Sequence, residues 1–551
     1  MQRFTILVTD DVDPEGVELL RQQAGFTVDE QPSRPWRELL DEIGRYDAIV
    51  GRSATRLPAE LLRHARRLQV VGRAGVGIDN IDVAEATALG IAVINAPSGN
   101  TVSVAELFFG SLIALVRHLP DAFASMRGGR WDRSALLGTE LRGRTLGIIG
   151  LGRIGGEVAG RARAFGMPVI AYDPYIAAER FDALNVTRAD SLDELLETGN
   201  IVTVHTPLTP ETRGMIQARE LSLLRDGAVL ANLARGGIVD EGGLALELKR
   251  GRLGGAILDV FEHEPLAADH PLRTMPNVIL TPHIGASTAE GQRNVAVDVC
   301  AHVRDALLSG VLSSAVNVAG GDRADWNDVR SALVLARRAA AMARALLGDR
   351  GARAVNQLTL RLGRALIHAD AVLLSSAAIG VVEGVIESGR LNVVNGRAQA
   401  ESRGIALAVA PAMVAEQPHY VSVSVRSNGQ EVVIAGVATA GAQPRITRID
   451  GFTVDVMPRR TMLVLTNADV PGVIGRVGTV LGDAGVNIAE YHQARTSQGG
   501  SALAAITVDG DIDTAVRTQL LSTTDVRSVT VINFDDGGGA DAGGGASGVL
   551  R

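Results

Sequence analysis

Gly150-Leu151-Gly152-Arg153-Ile154-Gly155 is the stretch that decides the fold. It stands between the β-rich run Thr145-Leu146-Gly147-Ile148-Ile149 and a helical pattern from Glu157 to Phe165. A second apolar run, Pro168-Val169-Ile170-Ala171-Tyr172, ends in Asp173, 18 residues beyond the last glycine. Such a glycine pattern arises by chance in a chain with 63 glycines. Between a strand and a helix, with an acid at this distance, it describes a dinucleotide-binding βαβ unit. Gly150 permits the tight turn, Gly152 lets the backbone approach a pyrophosphate, and Gly155 lets the helix pack close to the strand. The N-terminus of that helix presents free N–H groups and a partial positive charge to the phosphates. Asp173 is expected to accept hydrogen bonds from the adenosine ribose hydroxyls and to repel a 2′-phosphate. The expected cofactor is therefore NAD rather than NADP.

Composition narrows the rest. A length of 551 residues suggests three or four domains, and 46% hydrophobic with 21% charged residues supplies ample core. The formal charge of −8 argues against a general nucleic-acid binder. Lys249 is the single lysine, so arginine has to carry any anion recognition. The lone cysteine, Cys300, excludes an intramolecular disulfide framework and a cysteine-rich zinc site, and reads as a small core residue. No metal site is expected. The chain runs from Met1 almost directly into the strand Phe4–Thr9, and the apolar runs at 107–116 and 405–414 are too short to span a bilayer. The expectation is a cytoplasmic protein with neither signal peptide nor membrane partner.

Working outward from the glycine turn, strands and helices alternate in both directions. Upstream, the runs at 4–9, 47–51, 68–72 and 91–95 read as strands of a second parallel sheet with no phosphate loop of its own. One long helix from Ala105 to Met126 is expected to bridge the two blocks. Downstream, strands are expected at 201–205, 228–232, 256–259 and 278–281, each followed by a polar loop. Residues 326–347 read as helix, a strand–helix mixture runs to about Asp455, and Met457-Pro458-Arg459-Arg460 reads as a linker. The last ordered segment has the order βαββαβ. The Gly-rich tail is expected to be flexible.

Ligands of open α/β sheets bind beyond the carboxyl ends of the strands. There Asn232-Leu233-Ala234-Arg235-Gly236-Gly237 presents Arg235, Asp259-Val260-Phe261-Glu262-His263-Glu264-Pro265 presents Glu264, and Thr281-Pro282-His283-Ile284-Gly285-Ala286 presents His283. A guanidinium clamps a carboxylate and polarises an adjacent carbonyl. A histidine held by a carboxylate keeps one tautomer and exchanges a proton with a substrate hydroxyl. Beside a nicotinamide, the three suit hydride transfer at a carbon alpha to a carboxylate.

The blocks Asn232–Glu241, Asp259–Pro265 and Pro282–Thr288 resemble the signatures of the D-isomer-specific 2-hydroxyacid dehydrogenases. Gly51-Arg52-Ser53-Ala54-Thr55 and Gly72-Arg73-Ala74-Gly75-Val76-Gly77-Ile78-Asp79-Asn80-Ile81-Asp82 resemble those members of the family that act on D-3-phosphoglycerate. The resemblance extends over nearly the whole chain except the tail, and it is to the long form. It implies an α/β fold class: two Rossmann-like parallel-sheet domains, one for substrate and one for NAD, then an α+β intervening domain and a βαββαβ ACT domain. The implied boundaries are 1–97 with 288–318 for substrate, 98–287 for NAD, 319–455, 461–533, and a flexible tail at 534–551.

The implied reaction is oxidation of 3-phosphoglycerate by NAD to 3-phosphohydroxypyruvate, the entry to L-serine biosynthesis. Other 2-hydroxy or 2-oxo acids (hydroxypyruvate, glyoxylate, 2-oxoglutarate) and an NAD-sensing corepressor are the alternatives. By matching positions, Arg235 binds the carboxylate, His283 takes the hydroxyl proton and Glu264 holds His283. Arg52, Ser53, Arg73, Gly75 and Val76 line the substrate pocket. Gly150, Gly152, Arg153, Ile154, Gly155, Asp173, Thr206, Ala234, Asp259, His283, Gly285 and Ala286 contact the cofactor. Arg56 stands where relatives often have lysine. Trp131 matches a tryptophan that relatives place near the neighbouring subunit's pocket, which implies a homodimer or homotetramer. In the ACT-like module, Asn467, Asp469 and Asn487 are implied to bind L-serine as effector.

Overall fold

The computed structural model describes residues 3–321, 325–351, 354–383, 390–412 and 417–534. The expected flexible tail lies outside the described residues except for Phe534, which is buried.

Short apolar runs bounded by turn residues build four sheets. In the first, β1 (Phe4–Val8), β2 (Phe26–Glu30), β3 (Ala48–Gly51), β4 (Val70–Arg73) and β5 (Ala92–Asn95) are parallel in the order β2-β1-β3-β4-β5. The second contains β6 (Leu146–Ile149), β7 (Val169–Tyr172), β8 (Thr187–Arg188), β9 (Ile201–Val204), β10 (Val229–Asn232), β11 (Gly255–Leu258) and β12 (Val278–Leu280). Its order is β12-β11-β10-β9-β6-β7-β8, so the chain reverses direction at β6, next to the glycine turn. That is where a parallel sheet leaves a crevice at its carboxyl edge.

The third sheet is mixed, with β13 (Gln357–Leu362), β14 (Ala406–Pro411), β15 (Tyr420–Ser427), β16 (Gln430–Val437), β17 (Arg445–Ile449) and β18 (Phe452–Val456). The fourth is antiparallel in the order β20-β21-β19-β22: β19 (Thr461–Ala468), β20 (Asn487–Arg495), β21 (Ser501–Asp509) and β22 (Val526–Asn533). Helices Val473–Asp483 and Thr514–Ser522 complete the βαββαβ order.

Two readings change. The expected single helix from Ala105 to Met126 is two helices, Thr101–Val116 and Leu119–Arg127, bent by 63°. His118 is left-handed at the break (φ 51°), and Pro120 sits in the first turn of the second helix. Proline has no N–H to continue the preceding helix but is tolerated at a new start. Strand β2 was not expected, because Phe26-Thr27-Val28-Asp29-Glu30 is a half-polar edge strand with a weak apolar signal.

Two connections cross between the parallel sheets. Thr101–Val116 leaves the first, and Ala289–Ser309 returns to pack on the helix Pro14–Arg21. A Cβ at Gly16 would stand 2.6 Å from the Ala296 backbone, so glycine is what allows that close approach. After the return, Asn317 Oδ1 accepts from Val93 N (2.9 Å) and Ala315 bridges Ile94, which ties the chain to β5. Cys300 is buried in this core, and burial pushes its thiol up to about 12. That is an inert position. Among the described residues no single helix is long and apolar enough to cross a membrane.

Candidate active site

The glycine turn is shaped by its own backbone. Gly150 has φ +94°, and a Cβ there would stand 2.8 Å from His205 O; a Cβ on Gly155 would fall 2.1 Å from Gly150 O. Both glycines are required by packing. Gly152 is different: nothing lies within 4 Å of its Cβ position, and as N-cap of the helix Arg153–Ala164 it provides no side-chain cap. The helix start therefore presents open N–H groups. Arg153 is exposed there, whereas Ile154 packs on the core beneath. Thr206 Oγ1 and His205 Nδ1 are buried beside the turn without partners among the described residues. Burial lowers the His205 imidazole to about 4, so the ring is neutral at pH 7. These orphaned polar atoms and the open helix start fit a bound dinucleotide. Asp173 accepts from Leu151 N (2.9 Å) and Tyr175 N (3.0 Å), which holds it at the turn.

Three strand ends then converge. After β10, buried Asn232 closes the turn: its Oδ1 accepts from Ala234 N (3.1 Å) and its Nδ2 donates to Arg235 O (2.8 Å). A Cβ on Gly236 would lie 1.9 Å from Phe261 O, so glycine lets this turn lie against the next one. After β11, buried Asp259 accepts from Thr281 Oγ1 (2.5 Å), Ile284 N (2.8 Å) and Gly285 N (2.8 Å). In this structure Asp259 thus anchors the turn that carries His283, Gly285 and Ala286. Glu264 Oε1 accepts from Phe261 N (3.0 Å), and its Oε2 faces His283 Nδ1 at 2.9 Å. His283 adopts φ +54° and keeps half of its side chain exposed.

The first sheet supplies the opposite wall. Arg52 and Ser53 follow β3, and Arg73 ends β4. Arg235 reaches across: its Nε donates to Asp79 Oδ2 at 3.0 Å, which places the carboxyl edges of the two sheets face to face. Cβ atoms at Gly75 and Gly77 would collide with Arg73 Nη1 (1.4 Å) and Arg235 Nη2 (1.9 Å). The loop is glycine-rich because two guanidinium groups occupy the space its side chains would need. Arg73 donates to Ala74 O (3.2 Å), and its Nε is buried without a partner among the described residues. Burial, with Arg235 and Arg52 nearby, pulls its guanidinium down to about 10. Three arginines gathered at one cleft could hold an anion. Ser53 is exposed at its rim, and Val76 O is occupied by Asn95 Nδ2 (2.6 Å).

Several supporting residues were not singled out in the sequence. Buried Asp10, just after β1, accepts from Arg52 N (2.8 Å), Thr55 N (2.9 Å) and Ser33 Oγ (2.6 Å). Burial alone would raise its carboxyl; the bonds from Ser33, Thr55 and Arg52 outweigh that and hold it below the usual range. Asn80 Nδ2 donates to Arg52 O (2.9 Å) and Thr55 O (2.7 Å), coupling the two arginine loops. A polar residue directly after a parallel strand was the available signal for Asp10.

In the fourth sheet, Asn467 is buried and its Oδ1 lacks a partner among the described residues, while Asp469 Oδ2 accepts from Gly499 N (3.0 Å). Asn487 donates to Asp509 at 2.8 Å. Asn467 pairs with Ala502, and Asn487 with Asp509, at opposite ends of β21. At the usual strand rise that is about 23 Å. One chain does not bring the three effector residues together. Trp131 is 73% exposed rather than in the core, and Phe123, Met126 and Leu137 of the same stretch of chain are exposed as well.

Comparison with known proteins identifies the domains. Residues 109–285 match the family described as D-isomer specific 2-hydroxyacid dehydrogenase, NAD binding domain, and residues 461–523 match the ACT domain. The chain is 37% identical over 532 residues to a D-3-phosphoglycerate dehydrogenase of Synechocystis, covering 96% of this chain and 94% of that one. It is 35% identical to the Bacillus subtilis D-3-phosphoglycerate dehydrogenase, covering 96% and 100%. Among solved structures, a glyoxylate reductase from Paecilomyes thermophila superposes with a TM-score of 0.53 at 32% identity, over 57% of this chain and 99% of that one.

Proposed function

The chain belongs to the D-3-phosphoglycerate dehydrogenase family of D-isomer specific 2-hydroxyacid dehydrogenases, and we propose that its interdomain cleft oxidises D-3-phosphoglycerate to 3-phosphohydroxypyruvate, the first step of L-serine synthesis. The observations that carry this reading are the His283–Glu264 pair of the NAD-binding half and the cluster of Arg235, Arg52 and Arg73 where the two sheets meet. The domain division proposed is 1–97 with 288–318 for substrate, 98–287 for NAD, 319–455 intervening, and 461–533 regulatory. When bound at the glycine turn, NAD supplies the acceptor for the hydride that leaves C2. With Nδ1 donating to Glu264, His283 keeps its Nε2 lone pair for the C2 hydroxyl proton. Arg235 holds the substrate carboxylate, while Arg52 and Arg73 take the phosphate. A second anionic group on the substrate explains why two further arginines face the cleft.

This reading is tested by following D-3-phosphoglycerate oxidation with NAD and with NADP. NAD should be strongly preferred, and Asp173→Ala should relax the preference by about tenfold or more. The readout is the ratio of the two kcat/KM values, because Asp173 also holds the Leu151 amide. An unchanged ratio, or no oxidation by the unsubstituted protein, contradicts it.

The ACT domain fits small-molecule regulation, and the effector proposed is L-serine. Asn467 and Asp469 of one chain and Asn487 of a second would enclose it, since a single chain holds them at opposite sheet ends. The oligomer proposed is a homodimer or homotetramer in the cytoplasm, with exposed Trp131, Phe123 and Met126 lying at the contact between copies. Calorimetry should detect serine binding that Asn487→Ala abolishes; serine binding retained by that variant removes Asn487 from the site.

A further inference from the structure

The C-terminal half is docked on the substrate-facing unit through a polar loop. Asn392 Nδ2 donates to Gly90 O (2.8 Å), Asn395 Nδ2 to Ala88 O (3.3 Å), and Arg390 reaches Ala65 O. Both asparagines are buried, at 3% and 2% exposure. Their remaining atoms lock the loop itself. Asn395 Oδ1 accepts from Asn392 N (3.0 Å) and Asn392 Oδ1 from Val394 N (3.0 Å). Gly90 has φ +69°, and a Cβ there would stand 2.6 Å from Arg390 O, so the approach leaves no room for a side chain.

The carbonyls taken by the asparagines lie at the C-terminal end of the helix Val83–Ala88 and just beyond it, where helical partners run out. The other end of this helix is capped by Asp82, whose side chain accepts from Glu85 N at 3.0 Å. Immediately before that cap runs the loop with Arg73, Gly75, Gly77, Asp79 and Asn80, and Asn80 carries the Arg52–Thr55 carbonyls. A helix of six residues therefore joins the docking loop to both arginine loops. The hydrophobic packing is divided in the same way. The core under the first sheet continues through Trp326 and Val329 to Met462, Ile532 and Phe534. The two cores of the NAD-binding half draw no residue from beyond Leu280.

We propose that Asn392 and Asn395 are positioning residues for the substrate half of the site, acting through the helix Val83–Ala88 on the loop that carries Arg73. The packing of the C-terminal half is then read by the anion-binding arginines and not by the cofactor half. The substrate named in the test rests on the proposed function. The full-length enzyme and its Asn392→Ala and Asn395→Ala variants are compared by steady-state reduction of 3-phosphohydroxypyruvate with NADH and by hydrogen exchange. The KM for the oxo acid should rise about five- to tenfold, with the KM for NADH within about twofold of native. Amide exchange should accelerate over residues 73–90 and not over 146–173. Equal changes in both KM values, or unchanged exchange at 73–90, overturn the proposal. If Asn392→Ala fails to fold, Asn395→Ser removes one docking bond and decides by the same two readouts. If the unsubstituted enzyme does not reduce 3-phosphohydroxypyruvate, the functional reading fails, and exchange alone still decides the coupling.

Discussion

Replacing His283 by alanine is expected to lower turnover by about 10²–10⁴, the usual worth of a positioned general base. The side chain is half exposed and its described polar contact is with Glu264 Oε2, so its removal opens no cavity. Its backbone is left-handed at φ +54°, a region that asparagine tolerates better than alanine. His283→Asn therefore separates the chemical loss from backbone strain: it should be as inactive as the alanine variant and melt closer to the native enzyme. The KM for NADH should change little, because the glycine turn and its uncapped helix do not depend on the imidazole. Turnover within threefold of native in both variants would remove His283 from the reaction.

Replacing Arg235 by alanine is expected to lower kcat/KM by about 10²–10³, since truncating one member of a hydrogen-bonded charge pair costs roughly 2–5 kcal/mol. The loss should fall on the acid substrate, whose carboxylate would be left without its clamp. Arg235→Lys should not restore it, because a point charge cannot reproduce a two-pronged planar donor. The fold should tolerate the change. Asp79, the partner of Arg235 across the cleft, is 63% exposed, and an ion pair with so exposed a member contributes little to stability. Native kcat/KM in Arg235→Ala would overturn the assignment of the carboxylate clamp.

What was legible in the sequence was what is local. The glycine turn, the strand before it and the acid after it lie within about thirty residues and form one βαβ unit. Arg235, Glu264 and His283 could be named because each follows a brief apolar run, and parallel strands present such residues on one edge. What was not legible depends on contacts distant in the chain. Asp79 meets Arg235 over a separation of 156 residues, and Asn392 meets Gly90 over 302. No periodicity encodes such pairings. That arginine side chains fill the Cβ positions of Gly75 and Gly77 is likewise visible only in three dimensions, since Arg235 comes from the other sheet. The helix break at His118 was overlooked because apolar spacing continues through Leu119 and Phe123. The effector residues were named from positions along the module, and only strand register shows that they lie at opposite ends of its sheet.

The central claim is that a catalytic histidine on the NAD-binding half works on a substrate whose phosphate is read by arginines on the other half. The most direct measurement is the ratio of kcat/KM for 3-phosphohydroxypyruvate to that for hydroxypyruvate, with NADH, in the native enzyme and in Arg73→Gln. The native ratio should exceed about 10², because half-buried cations left unpaired by the smaller acid penalise it. In Arg73→Gln it should fall at least about tenfold while the rate on hydroxypyruvate stays near native. A native ratio near one, or a ratio that Arg73→Gln leaves unchanged, would contradict the account.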